Sequence, residues 1–498
     1  MSSSADALAP AGTATGGPEP LEAIANFAVG WSDFPDEVIE AGVRAFLDVF
    51  GVAVAGASQE DARGLLNHVW RTYARGPATA LGIAEPLVPE AAAYANSVLG
   101  HVLDYDDHHD SVGGHPTVVV LPAVVAVAES LGRGAREVLE AYAVGVETMC
   151  GLGRCLNHTH YEKGWHPTAT LGIFGATAAV ARLVGLDVVT TVRALAIAAS
   201  FASGIKGNFG TAMKPVQVGF AASKAVQAVS LAGLAASANP GVFTGVHSFP
   251  TVYNGQPVVD WSPLARLGMD WEVLRPGLVF KLYPCCGSTH APIDAALRLR
   301  AHPAFDPDAI RAIEIRTHPR RLPHIDRPRP TTPTQARFSV QYVVAVACAD
   351  GAVGPLDFAP DRIADPRLSR LLAVTSVGEL EPARQFVPPG RRDCFSASVT
   401  VTLESGEQLE GYAPCPRGMD PAEPLATEEL EGKFLGCVSA AGAEALGPWL
   451  LGSIHSWAAG NLDTATVLRS LRAVSFGGPG AWRDEASVTG HAPGRTWT

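Results

Sequence analysis

The chain has 498 residues, too many for one ordinary domain and enough to bury a large core. Apolar residues make up 47% and charged residues only 17%, so most of the chain must pack rather than stay solvated. The formal charge of −12, with no long basic run, argues against nucleic acid or an anionic membrane as a partner.

In chain order, residues 1–20 are Ser/Ala/Gly/Pro-rich and lack both a basic and an apolar segment, which predicts a disordered leader rather than a signal peptide. From 21 to 277 the pattern is helical, with Ala/Val/Leu segments at 36–56, 90–103, 116–132, 135–154, 168–185, 189–203 and 214–236. No uncharged apolar run reaches the roughly 18 residues that a membrane-spanning helix needs. The abundance of Ala and Gly predicts helices in close contact through small side chains.

Pro276-Gly277 punctuates the chain, and the character changes over 278–423. "RAIEIRT" (311–317) alternates like a half-buried strand, "QARFSVQYVVAVACADG" (335–351) reads as a helix, and 395–413 reads as a hairpin. In that hairpin Ala397, Val399, Val401 and Leu403 share a face, and Ser405-Gly406 makes the turn. Helical patterning resumes over 424–475, with Thr427 as the expected N-cap, and the polar, Gly-rich stretch 476–498 reads as a flexible tail. The predicted fold is mainly α: a large all-helical domain interrupted by a smaller α+β domain, with a cleft between them for a ligand. Cys150, Cys155, Cys285, Cys286, Cys348, Cys394, Cys415 and Cys437 show no CxxC spacing. They read as reduced thiols of a cytoplasmic protein.

Polar residues interrupt the apolar helices at a few points. "HVLDYDDHHDSVGGHP" (101–116) holds four histidines and four aspartates. His115-Pro116, His166-Pro167 and Lys214-Pro215 each precede a long apolar segment, which puts each cation beside a helix N-terminus. Lys281 opens "KLYPCCGSTH" at the domain boundary and repeats the pattern. Side chains and helix dipoles together would make a pocket suited to carboxylates.

A metal is the rival reading. His101, Asp104, Asp106, Asp107, His108, His109 and His115 could ligate one, as could His158 and His160, which would suit a metal-dependent hydrolase. Against it, no HExxH and no paired-cysteine frame is present. GxSxG is absent too, so a serine nucleophile has no support.

The run "HVLDYDDHHDSVGGHPTVVVLPAVVAVAE" resembles the signature of the MmgE/PrpD family. "GWHPTATLGIFGATAAVARLVGLD", "GTAMKPVQVGFAASKAVQAVSLA", "KLYPCCGSTHAPIDAAL" and "ARFSVQYVVA" resemble its later blocks in order, and the likeness spans roughly 21–475. The resemblance implies a helical domain with an α+β lid inserted before the last helices, and a homodimer. It also implies lyase or epimerase chemistry on small di- or tricarboxylates without metal, iron–sulfur cluster or organic cofactor.

Carried over to this chain, the family's site falls on Asp104, His115, His166, Lys214, Lys281 and Tyr342. Three positions depart from the family pattern. His108 stands where the cis-aconitate decarboxylases have threonine, Cys286 where they have histidine, and Gln217 where a histidine is usual. His108 and Cys286 are expected to contact substrate beside Lys281.

The expected chemistry holds a substrate carboxylate on Lys214 and Lys281, which stabilise the developing enolate-like charge. His115 and His166 divide the acid and base roles, Asp104 orients a cation, and Tyr342 supplies a proton from the lid. Dehydration of a hydroxy-polycarboxylate, as in 2-methylcitrate dehydratases, is the first expectation. Decarboxylation of cis-aconitate, epimerisation of a dicarboxylate and a catalytically silent member are the alternatives.

Overall fold

Small residues set how closely the helices of the larger domain approach. In the computed structural model, Ala135–Glu162 and Gly172–Val184 cross at two glycines. A Cβ on Gly175 would stand 2.5 Å from the Gly145 carbonyl oxygen, and one on Gly145 would stand 2.9 Å from that of Gly175. Only glycine on both helices allows this approach. Met213–Gly233 likewise runs along Pro89–His101, with Gly219 against Tyr94 and Val98, and Thr117–Leu131 packs on both. Every residue from Thr117 to Ala128 is buried, so this helix is interior all round.

The structure describes residues 19–475 except Arg392 and Pro421, and does not describe the side chains at 60, 61, 157 and 158. Residues 1–18 of the expected leader, the expected tail at 476–498 and the His158 side chain lie outside it. One stretch, Pro167–Val184, is long and apolar enough to cross a bilayer by length and composition, but 89% of it is buried in the fold.

After the α+β region the chain returns to the first core. Thr427–Ala440 packs on Asp36–Ala57, and Trp457 meets Phe46 with ring centroids 4.4 Å apart. Lys433 is buried and donates to Asp48 Oδ1 at 2.5 Å and to the Tyr105 carbonyl at 2.7 Å. The C-terminal helices therefore brace the aspartate-bearing loop.

The smaller domain has its own core beneath a four-stranded sheet ordered Thr375–Glu379, Ile310–Thr317, Ala397–Leu403, Gln408–Ala413. The first pair is parallel and the others antiparallel, with Ile315 opposite Val377 and Val399, and Val399 opposite Gly411. Ala397, Val399, Val401 and Leu403 are buried, as their alternation predicts. Helices His290–Arg300 and Val340–Asp350 complete this core.

Some elements differ from the pattern. The 335–351 segment is two helices, because Ser339 Oγ accepts from the Tyr342 N–H and restarts the helix at Val340. The 168–185 segment breaks at Leu171, and the helical patterning over 424–475 resolves into three α-helices. Thr427 is the first helical residue and Ala426 the cap, while Glu429 accepts from the Ala426 N–H at 3.0 Å. The Glu60–Thr72 helix, whose Ala62, Leu66 and Val69 are buried at helical spacing, and the Thr375–Glu379 strand were not among the predicted elements.

Candidate active site

The site grows from the end of one helix and the loop after it. Pro89–His101 ends at His101, and Asp104 then takes φ +50°, a left-handed conformation that aspartate tolerates better than most residues. This turns the next residues back under the helix. His108 and Val279 exchange backbone hydrogen bonds of 2.9 Å each, which ties the loop to the domain boundary two residues before Lys281. At the far end, Gly113 has φ +62°, and Gly114 lies so close to Thr168 that a Cβ would stand 2.7 Å from its hydroxyl. The His115 N–H donates to that hydroxyl at 3.1 Å, so the His115 and His166 segments are locked together.

Asp104 collects the two lysines. Lys214 Nζ donates to its Oδ1 at 2.5 Å; Lys281 Nζ donates to Oδ1 at 3.0 Å and to the Asp104 carbonyl at 2.7 Å. All three residues are buried. Burial opposes the charge on Asp104, but the Lys214 and Lys281 ammoniums outweigh it and hold the carboxyl well below its usual range. Burial likewise opposes the Lys281 charge, and Asp104 outweighs it, so that ammonium is held above its ordinary value. Two cations share one carboxylate here, which leaves spare N–H donors for an anion.

The imidazoles lie beside this cluster. His115 Nδ1 donates to the Asp107 carbonyl at 2.6 Å and is 3.2 Å from Asp106 Oδ2, while its Nε2 is 3.8 Å from Asp104 Oδ1. His166 caps the short helix Pro167–Thr170, and its Nδ1 is 2.8 Å from Gln217 Oε1. Gln217 gives its own N–H to the Ile205 carbonyl, so its oxygen accepts and His166 carries its hydrogen on Nδ1. His166 Nε2 is buried with no partner. Burial, then the neighbouring His101 and Lys214, push His166 well below its ordinary value and keep it neutral. The Gln217 departure thus fixes one tautomer of His166.

His101 and Asp106 join the site, although the motif reading held them only as metal ligands. His101 Nδ1 lies 2.9 and 2.8 Å from the two Asp106 oxygens. The ring centroids of His101 lie 4.7 Å from those of His115 and 6.1 Å from those of His166. The missed signal was the five-residue spacing between a helix-terminal histidine and a loop aspartate, which is visible only once the loop's turn is known. A cavity of about 20 Å3 meets His101, Asp104 and Lys214, and Arg337 and Phe338 of the smaller domain close its other side. That volume holds about one water.

His108 faces His115 and Phe395 with ring centroids 6.1 and 6.3 Å away, on the rim between the two domains. The Cys286 N–H donates to the Arg337 carbonyl, and burial, then Asp104, push its thiol up, so it is a protonated neighbour of Lys281. Tyr342 is placed differently from the expected proton donor. It is buried in the smaller core against Phe358, and its hydroxyl donates to the Asp357 carbonyl at 2.5 Å.

Candidate ligand atoms of His101, Asp104, Asp106 and His115 come within 4.8 Å of one another, the geometry a metal reading would use. Two ammoniums already bond Asp104, however, and a divalent cation there would meet their repulsion.

The profile of the MmgE/PrpD N-terminal domain matches residues 22–262, and that of the MmgE/PrpD C-terminal domain matches 283–446. Among similar proteins, a cis-aconitate decarboxylase of Homo sapiens is 29% identical over 423 residues, covering 80% of this chain and 83% of that protein. One of Aspergillus terreus is 27% identical over 426 residues, covering 81% and 85%. A 2-methylcitrate dehydratase of Cupriavidus necator is 29% identical over 199 residues, covering 39% and 40%. With both domain profiles matched in order across a helical domain and a smaller α+β one, the chain belongs to the MmgE/PrpD family.

Proposed function

We propose that the protein is a lyase of small polycarboxylates, dehydrating a hydroxy-tricarboxylate of the 2-methylcitrate type. The observation that carries this reading is the convergence of two buried ammoniums on Asp104 beside a buried imidazole nitrogen without a partner. Lys214 and Lys281 bind a substrate carboxylate and stabilise the negative charge that develops on it when the adjacent C–H breaks. Neutral imidazole suits removal of that proton, and a second imidazole, protonated, suits delivery of a proton to the departing hydroxyl. Asp104 holds the Lys281 ammonium charged against its burial. The net charge of −12 makes this local cationic focus necessary for an anionic substrate.

A second reading is decarboxylation of cis-aconitate, favoured by relatives of that name which cover four-fifths of this chain. There a C–C bond breaks, CO2 leaves, and an imidazolium protonates the far carbon of the resulting allylic anion. His108 and Cys286, on the rim and beside Lys281, distinguish this chain's site from that pattern. Incubation with 2-methylcitrate, citrate and cis-aconitate, followed by alkene absorbance and released CO2, separates the two readings. Absence of any product overturns both, and loss of activity in EDTA would restore the metal reading.

A further inference from the structure

Among the imidazoles of the site, His101 has the arrangement best suited to accept a proton. Both oxygens of Asp106 lie within 2.9 Å of its Nδ1, and a carboxylate can only accept there, so Nδ1 carries the hydrogen. Asp106 stays ionised: burial opposes its charge, and His101 and His115 outweigh that. The lone pair of a neutral His101 therefore lies on Nε2. That atom is buried and has no partner, in a residue that is 1% exposed overall. Buried nitrogens are rarely left unsatisfied, and those that are call for an explanation in function.

The surroundings supply the explanation. His101 lines the same cavity as Asp104 and Lys214, the cavity in which a substrate carboxylate would meet the Lys214 ammonium. The charged and titratable groups facing it are Asp106, Asp104, His115, His166 and Lys214. Burial pushes His101 down to about 4 in spite of Asp106, which leaves its lone pair free at neutral pH. His115 differs, because its Nε2 already faces a carboxylate. His166 differs too, because a neutral amide rather than a carboxylate stands behind it.

We propose that His101 is a catalytic base of this site and that Asp106 is its positioning residue. Resting on the lyase reading for its substrate, the step runs as follows. His101 Nε2 takes the proton from the carbon next to the bound carboxylate, and the C–H electron pair becomes the new C=C bond. The C–O bond on the neighbouring carbon breaks, and the hydroxide leaves as water with a proton from His115. The imidazolium formed at His101 is stabilised by Asp106 on its Nδ1 side, as a carboxylate stabilises histidine in hydrolytic triads.

Two measurements on the full-length protein test this independently. In kinetics with 2-methylcitrate, His101→Ala and His101→Gln are expected to lower kcat on the order of a hundredfold or more, with KM little changed. Added imidazole is expected to restore part of the His101→Ala activity. A kcat within threefold of wild type, or folded variants that imidazole leaves inert, would overturn the assignment.

The second measurement needs no turnover. In 15N-histidine NMR, the His101 signal, assigned with His101→Gln, is expected to show the Nδ1–H tautomer and to shift on addition of tricarballylate. Asp106→Asn is expected to weaken that tautomer preference. An Nε2–H tautomer, or a signal indifferent to tricarballylate, overturns the proposal. Should wild type process no polycarboxylate, the lyase reading falls while the NMR result still decides the role of His101.

Discussion

Asp104 and Asp107 belong to one short loop, are both buried, and yet are shifted in opposite directions. Asp104 meets two ammoniums and is held ionised. Asp107 meets the Thr117 hydroxyl, while burial, then the nearby Asp48 charge, push it well above the usual carboxylate range. Asp106, between them in chain order, is ionised by two imidazoles. The difference teaches that the residue type supplied only the capacity for charge. The partner brought by the fold decided whether that charge is kept.

The same Asp→Asn change at the two positions breaks or sharpens this contrast. Asp104→Asn leaves two buried ammoniums facing each other without a counter-charge, and is expected to lower unfolding free energy by about 3–5 kcal/mol in urea titration. The sign with pH follows from the depressed folded value. The stability Asp104 contributes is fully present above its unfolded value of 3.8 and is lost as pH falls through the lower folded value. The variant should lack that acid limb, and a matching acid limb in both proteins would count against the ion cluster.

Lys214→Ala attacks the same side through chemistry. Turnover of the best polycarboxylate is expected to fall on the order of a hundredfold, far more than stability falls. Full activity on every carboxylate tested would sink the pocket. Tyr342→Phe tests a residue that the fold placed in the smaller core. Loss of its bond to Asp357 should cost about 1 kcal/mol in thermal unfolding while kcat stays within about twofold.

Asp107→Asn should have the smallest effect, within about 1 kcal/mol of wild type at neutral pH. Its raised folded value means that folded-state stability is greatest below 3.8 and declines as pH climbs towards the folded value, a decline that asparagine removes. A loss as large as that at Asp104 would show that Asp107 is ionised after all.

Much of the fold was legible because its signals are local. Helical period, Pro-initiated segments and the Ser405-Gly406 turn each depend on neighbours in sequence, and the helices and hairpin appear near the expected positions. The Thr375–Glu379 strand was not, because its parallel pairing with Ile310–Thr317 is remote in the chain. In the candidate site, Asp104, His115, His166, Lys214 and Lys281 come together as the motif resemblance implied. Tyr342 did not follow, since the Ser339 restart sets it within the smaller core. His101 had looked like one metal-type residue among several.

The sequence by itself determined the helical character, the interrupted domain and the concentration of cations at helix starts, because periodicity, punctuation and residue chemistry are written locally. Only the tertiary structure decided which aspartate holds lysines, which holds imidazoles and which is pushed towards its proton. Those outcomes depend on burial and on partners up to 177 residues away, as with Lys281 and Asp104, and Coulomb interactions in a dry interior outweigh intrinsic pKa values.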